Sequence, residues 1–149
     1  MKETGNDGFV FKRLGASNFN DTTNGQVHAL FEKLNASIPQ LEAREVATTN
    51  ETILYVCQHQ NEIIGMALMA TYKVISGHKG MIEDVVVNEQ YRGKGIGRKL
   101  IQGLLEEGHK LNLSEILLFS GHHRKAAISL YTSLGFILKE SGLYQLSLN

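Results

Sequence analysis

The chain has 149 residues, with fifteen basic and fifteen acidic side chains, one cysteine, one proline and no tryptophan, and it is 42% hydrophobic and 20% charged. That is about one domain of ordinary composition, long enough to bury roughly 68–70% of its unfolded surface without disulfide or metal; a single domain over residues 1–149 is expected. A formal charge of zero removes the electrostatic attraction that dominates general nucleic-acid binding. The start MKETGNDGFVFKR has no basic stretch leading into an apolar run, and no apolar run approaches the roughly 18 residues of a membrane span. With a lone Cys57 that cannot close an internal bridge, the expected setting is the reducing cytoplasm, with no nucleic-acid or membrane partner.

Polar residues Met1 to Gly8 read as a frayed end and Phe9 to Leu14 as a first strand. From Asp21 the apolar positions Val27, Leu30, Phe31 and Leu34 fall on one helix face, and Pro39 closes the pattern. Gln40 to Thr49 reads as a thin second helix or a lid. Thr52 to His59, a polar turn at Gln60 and Asn61, and the run Ile63 to Ile75 suggest a hairpin, which Met81 to Val87 extends into a meander. A glycine-rich turn from Arg92 then opens an amphipathic helix with Ile96, Leu100, Ile101, Leu104, Leu105 and Leu111 on its inner face. Ile116 to Phe119 gives another strand, and Ala126, Ala127, Leu130 and Leu134 another helix face. Phe136 to Leu138 and Leu143 to Leu148 are expected to close the fold as a pair of strands.

The turn Arg92-Gly93-Lys94-Gly95-Ile96-Gly97 places three glycines two apart at a helix start, where unpaired amides and the positive helix end favour an anion. Arg92, Lys94, Arg98 and Lys99 crowd it in a neutral chain, which favours phosphate over a plain flexible turn. A dinucleotide fingerprint fails because Arg98 stands where its third glycine belongs, and no G-x-x-x-x-G-K-[ST] loop occurs.

This turn resembles the R/Q-x-x-G-x-G/A signature of the GCN5-related N-acetyltransferases. Ile82 to Val87, IEDVVV, is similar to that family's central strand, and Ala127-Ile128-Ser129-Leu130-Tyr131 with Leu134-Gly135-Phe136 resembles its second motif. The resemblance covers Asn61 to Leu148 well and the first fifty residues only by element order. It implies an α/β (α+β) fold with a mixed, mainly antiparallel sheet flanked by helices and splayed near Val87. It also implies acetyl-coenzyme A (acetyl-CoA) as cosubstrate, with no metal. Its pyrophosphate would lie on Arg92, Gly93, Lys94, Gly95, Ile96, Gly97 and Arg98, with the backbone of Val85 and Val87 and the side chain of Arg124 as further contacts. Dimers are common in the family, so a homodimer is a possible assembly. Ile82 to Val87 and Tyr91-Arg92-Gly93 are also similar to the glucosamine-6-phosphate N-acetyltransferases. Arg124, however, stands where many members carry asparagine, and Leu118-Phe119-Ser120 lacks the acidic or cysteine residues common in those enzymes.

Acetyl transfer from a thioester to an amine needs a neutral amine, a polarised carbonyl and a leaving thiolate that can be protonated. An alkyl amine with a pKa of about 10.4 must lose a proton after binding. Glu83 is the first choice of base and Asp84 the second; neighbours on a strand face opposite sides, so only one can face the cleft unless a bulge turns the chain. The alternative is that both are polar strand residues. Tyr131, by its place in the second motif, is implied as the proton donor to sulfur; a core aromatic with an incidental hydroxyl is the other account. His122 and His123 lack further ligands at zinc spacing. Cys57 reads as a buried thiol, and Tyr144 as either an acceptor-site or a cross-strand residue. The expected function is direct N-acetylation of a primary amine (an amino-sugar phosphate, another small amine, or a peptide or protein amine) in a ternary complex. A non-catalytic acyl-CoA sensor or interaction module and a phosphate-binding regulatory domain are the alternatives. Asn35 to Asn50, which should wall the acceptor cleft, carries no recognised motif.

Overall fold

A computed structural model of the protein describes residues 3–4 and 7–148. Of the expected frayed start, residues 1, 2, 5 and 6 lie outside that range, whereas Glu3–Thr4 forms a short strand, β1. The chain forms two compact units that meet between Phe119 and Ser120. The first continues with β2 (Phe9–Leu14), α1 (Asp21–Leu34), α2 (Ala43–Ala47), β3 (Thr52–His59), β4 (Glu62–Val74) and β5 (Gly77–Val87). A single 3-10 turn (Glu89–Tyr91), α3 (Ile96–Lys110) and β6 (Glu115–Leu118) complete it. The strands form one six-stranded sheet in sequence order, antiparallel throughout except for the parallel pair β5–β6. This is the mixed, mainly antiparallel sheet expected from the sequence.

Two elements differ from their sequence reading. The second helix shrinks to Ala43–Ala47, because Ala43 and Ala47 are its only buried residues while Leu41 is 77% exposed; so small an apolar stripe holds one turn. Conversely, β5 begins at Gly77 rather than Met81, since Val74 pairs with Gly77 and the ladder recruits Gly-His-Lys-Gly despite its weak strand composition.

Strand alternation divides the core between the two helices. Leu14, Leu54, Val56, Met66 and Val86 pack with Val27 and Leu30 of α1 and with both α2 alanines. Asn20 starts α1 by accepting the Thr23 amide at 2.9 Å while the Thr23 hydroxyl oxygen accepts the Asn20 amide at 2.8 Å, a reciprocal cap. The other face of the sheet receives α3, whose Ile96, Leu100, Ile101 and Leu104 are buried. Glycine makes this approach possible: a Cβ on Gly65 of β4 would lie 3.2 Å from both Ile96 and Leu100, and one on Gly103 of α3 would run into the Tyr55 ring.

The second unit contains α4 (Lys125–Ser133). Its end is a Schellman motif: the Phe136 amide donates to the Tyr131 carbonyl and the Gly135 amide to Thr132, both at 3.1 Å, with Gly135 at φ +99°. The Tyr131 and Phe136 rings meet edge-on at 6.0 Å, the hydrophobic contact that this motif commonly carries. The expected closing strands do not form. Residues 136–148 have no regular secondary structure, and Ile137, Leu138, Leu143, Tyr144, Leu146 and Leu148 are exposed. Alternation supplies a pattern for a strand but not its ladder, and an isolated two-stranded hairpin is marginal in water.

Alanine normally stabilises a helix interior by about 1 kcal/mol over glycine. At Gly103 the sign should reverse: Gly103→Ala should cost about 1–3 kcal/mol through overpacking against Tyr55. Urea unfolding followed by far-UV circular dichroism measures it.

Candidate active site

The site is built around the second half of β5. β6 pairs with β5 from Lys79↔Glu115 to Ile82↔Leu118 and ends there, whereas β5 runs on to Val87. The stretch holding Glu83, Asp84, Val85 and Val87 therefore lies beyond the parallel ladder, and this parting corresponds to the splay expected near Val87.

On its other side, β5 stays with β4 but carries one extra residue: Leu68 faces Glu83 and Met66 faces Val86. Asp84 occupies this bulge at φ +54°, a conformation that aspartate tolerates better than most residues. The inserted residue changes the facing of everything after it. Val86 enters the α1-side core beside Met66, and Val87 lies opposite Gly65 under α3. Glu83, opposite Leu68, lies on the α1 side. Burial raises the Glu83 carboxyl above its ordinary range, and the neighbouring Asp84 charge adds to the rise. Burial also raises Asp84. Two carboxylates at a bulge thus hold their protons more firmly than free side chains do.

After Val87, the Asn88 amide donates to the Ile64 carbonyl at 2.8 Å, fixing the 3-10 turn to β4. Arg92, Gly93, Lys94 and Gly95 follow, all exposed. Gly93 and Gly95 adopt φ +80° and +78°, and a Cβ on either would meet no atom within 4 Å. Both glycines are thus required by backbone conformation, and they leave open space in front of α3. Gly95 caps the helix without a side chain, and the first helical bond runs from the Lys99 amide to the Gly95 carbonyl. The earlier amides of this turn, those of Ile96 and Gly97 among them, point out of the helix mouth. This open, cationic turn fits a pyrophosphate.

On the α1 side, the segment expected to wall an acceptor cleft is tied down by His28. Its Nε2 accepts the Ala43 amide at 3.3 Å and its Nδ1 meets Gln40 Oε1. Arg44 pairs with Asp21 at 2.7 Å. No motif marks these contacts, because residues 12 to 23 positions apart make them.

In the second unit, Arg124 stands at the N-cap of α4 and Tyr131 near its end. Burial raises the Tyr131 phenol above its ordinary value, and the Arg124 charge opposes that rise, so Tyr131 is protonated at neutral pH. His122, His123 and Tyr144 are exposed. Cys57 is fully buried, and its thiol is pushed up to about 12 by desolvation and the Asp7 charge, against the pull of Lys99. Among the described residues no helix is long and apolar enough to cross a membrane.

Residues 19–136 match the Acetyltransferase (GNAT) family. The chain belongs to this family. An L-methionine sulfoximine/L-methionine sulfone acetyltransferase of Pseudomonas aeruginosa is 31% identical over 85 residues, which is 56% of this chain and 49% of that protein. A glucosamine 6-phosphate N-acetyltransferase of Trypanosoma brucei brucei is 35% identical over 88 residues, 57% of this chain and 58% of the relative. The matches thus span about half the length of these relatives. The GNAT fold is shared with an aminoglycoside acetyltransferase from an uncultured soil metagenomic sample, with a TM-score of 0.81 at 20% identity over 97% of this chain and 98% of that one. It is also shared with glucosamine-6-phosphate N-acetyltransferase from Arabidopsis thaliana, with a TM-score of 0.74 at 20% identity over 93% and 97% of the two chains.

The raised carboxyls have a consequence for stability. Both acids bind protons more tightly in the folded chain than in the unfolded one, so their contribution is most favourable at low pH and is lost as pH rises through the folded-state values. A Glu83→Gln, Asp84→Asn double variant should therefore lose less stability than the parent between about pH 4 and pH 7. Urea midpoints across that range test this; parallel profiles would remove the desolvation account.

Proposed function

We propose that the chain transfers the acetyl group of acetyl-CoA to a primary amine, directly and within a ternary complex. The observation that supports this best is the continuity of β5 into the cationic turn. A strand that has left its parallel neighbour leads, through one 3-10 turn, to a helix mouth with two left-handed glycines and open space before it. Arg92, Gly93, Lys94, Gly95, Ile96, Gly97 and Arg98 hold the pyrophosphate by amides and charge, the backbone of Val85 and Val87 takes the acetyl and pantetheine groups, and Arg124 contributes a further cation. Acetyl-CoA supplies the thioester.

Glu83, on the α1 side of the parted strand, accepts the proton that the bound ammonium must lose. A raised carboxyl value suits this role, because it makes the base stronger at neutral pH. The amine nitrogen then bonds to the carbonyl carbon, the carbon–sulfur bond breaks, and Tyr131 donates its phenolic proton to the departing sulfur. The relatives named above carry amino-acid analogues and an amino-sugar phosphate in their names, and small primary amines of that kind are the acceptor class proposed here. With its only thiol buried and protonated, the chain suits a cytoplasmic setting.

Gly95→Val places a β-branched residue at φ +78° and into the open space of the turn. It should weaken acetyl-CoA binding about tenfold or more while the fold persists; unchanged affinity by titration calorimetry would put the donor elsewhere.

Proton handling is tested separately. Tyr131→Phe should lower kcat by about 10²–10⁴-fold with little change in acetyl-CoA affinity. Glu83→Gln should depress kcat/KM most near neutral pH and converge on the parent as pH rises towards the amine's own pKa, where solvent supplies the neutral nucleophile. Parallel pH–rate profiles, or a loss that follows Asp84→Asn instead, would take Glu83 out of the reaction.

A further inference from the structure

The turn that receives the pyrophosphate is supported from beneath by a small aromatic cluster of which only Tyr91 falls within a motif. The β2–β3 register sets Phe9 opposite His59, and their rings lie 4.8 Å apart. Tyr91, the last residue of the 3-10 turn and the one before Arg92, closes on both: its ring is 6.0 Å from Phe9, edge-on, and 5.6 Å from His59. Gly8, at φ +81°, passes over the imidazole so closely that a Cβ there would sit 3.7 Å from it. Two residues further along β2, Lys99 of the first turn of α3 lies over the Phe11 ring at 5.4 Å. Both ends of the glycine turn are thus attached to alternate aromatics of β2, directly through Lys99 and through His59 and Tyr91.

His59 Nδ1 is buried and has no hydrogen-bond partner among the described residues. Such an atom costs stability, and on this side of the imidazole ring contacts take the place of a hydrogen bond. We propose that His59 is a positioning residue for acetyl-CoA binding, its ring setting Tyr91 and hence the course of the chain entering Arg92–Gly97. The backbone of the turn needs this support, because Gly93 and Gly95 have no side chains to anchor it and Asn88 is its nearest backbone tie to the sheet. Holding the amides ready lowers the ordering cost of binding. The inference rests on the reading of this turn as the pyrophosphate site.

The test is calorimetry with acetyl-CoA on His59→Ala, His59→Phe, Tyr91→Ala and the double variant His59→Ala, Tyr91→Ala, with Gly95→Val as reference and thermal melts on all. His59→Ala and Tyr91→Ala should each raise Kd by about 2- to 10-fold, the range expected for an aromatic pair. The double variant should be no worse than the weaker single one. His59→Phe should bind as the parent does and melt at an equal or higher temperature, since it keeps the ring and removes the orphaned nitrogen. Tyr91→Ala reads the same contact should His59→Ala fail to fold. Additive losses, an unchanged Kd in Tyr91→Ala, or a His59→Phe variant as weak as His59→Ala would overturn the positioning role if Gly95→Val still weakens binding. If Gly95→Val also binds normally, the pyrophosphate site itself is lost, and the inference with it.

Discussion

One extra residue in β5 governs the geometry on which the rest depends. Without the insertion at Asp84, strict alternation would send Val86 towards α3 and Val87 towards α1, reversing both core contacts. With it, the valines satisfy both helices while Glu83 stays on the α1 side. The parting from β6 begins at the same place. A strand that both bulges and loses a neighbour would ordinarily be a weak edge. Here β4 on the other side, α1 below and α3 above hold it to Val87, so backbone that a regular sheet would consume remains available at a rigid position.

The two faces of the sheet divide the labour. On the α3 side, glycines at positions 65 and 103 bring the helix close enough for its N-terminus to meet the strand end. Phe9, Phe11, His59 and Tyr91 then settle where the intervening turn can run. On the α1 side, the contacts are more polar towards the helix ends, with His28, Gln40, Asn24 and Arg44 linking α1 to the short α2. The first arrangement suits a group of constant shape. The second can vary without disturbing the sheet.

How much of this was legible follows from the range of each interaction. The meander, α1, α3 and the glycine turn were readable because their signals are local: helical spacing, a polar turn, three glycines at a helix start. Even the second motif has a local cause, since the spacing of Tyr131, Gly135 and Phe136 is that of a Schellman cap with its ring contact. What escaped depends on pairing. The facing of Glu83 and Asp84 needed the bulge, which appears only when β4 is in register. The partnership of Phe9 with His59 and Tyr91 joins residues far apart in sequence. The closing strands are absent for the converse reason: the alternation of 143–148 supplies a strand pattern without a ladder to complete it.

The burial of Cys57 carries a practical consequence. As the only cysteine of the chain, fully buried and with its thiol pushed up to about 12, it contributes almost no thiolate at neutral pH, and thiolate is the form that disulfide reagents attack. A colorimetric thiol reagent therefore sees free coenzyme A against a silent protein background, and turnover can be followed continuously without altering the sequence. By the same chemistry, a cysteine introduced at an exposed site would be the one reactive thiol on the folded chain, giving a single-site handle for a fluorophore or spin label.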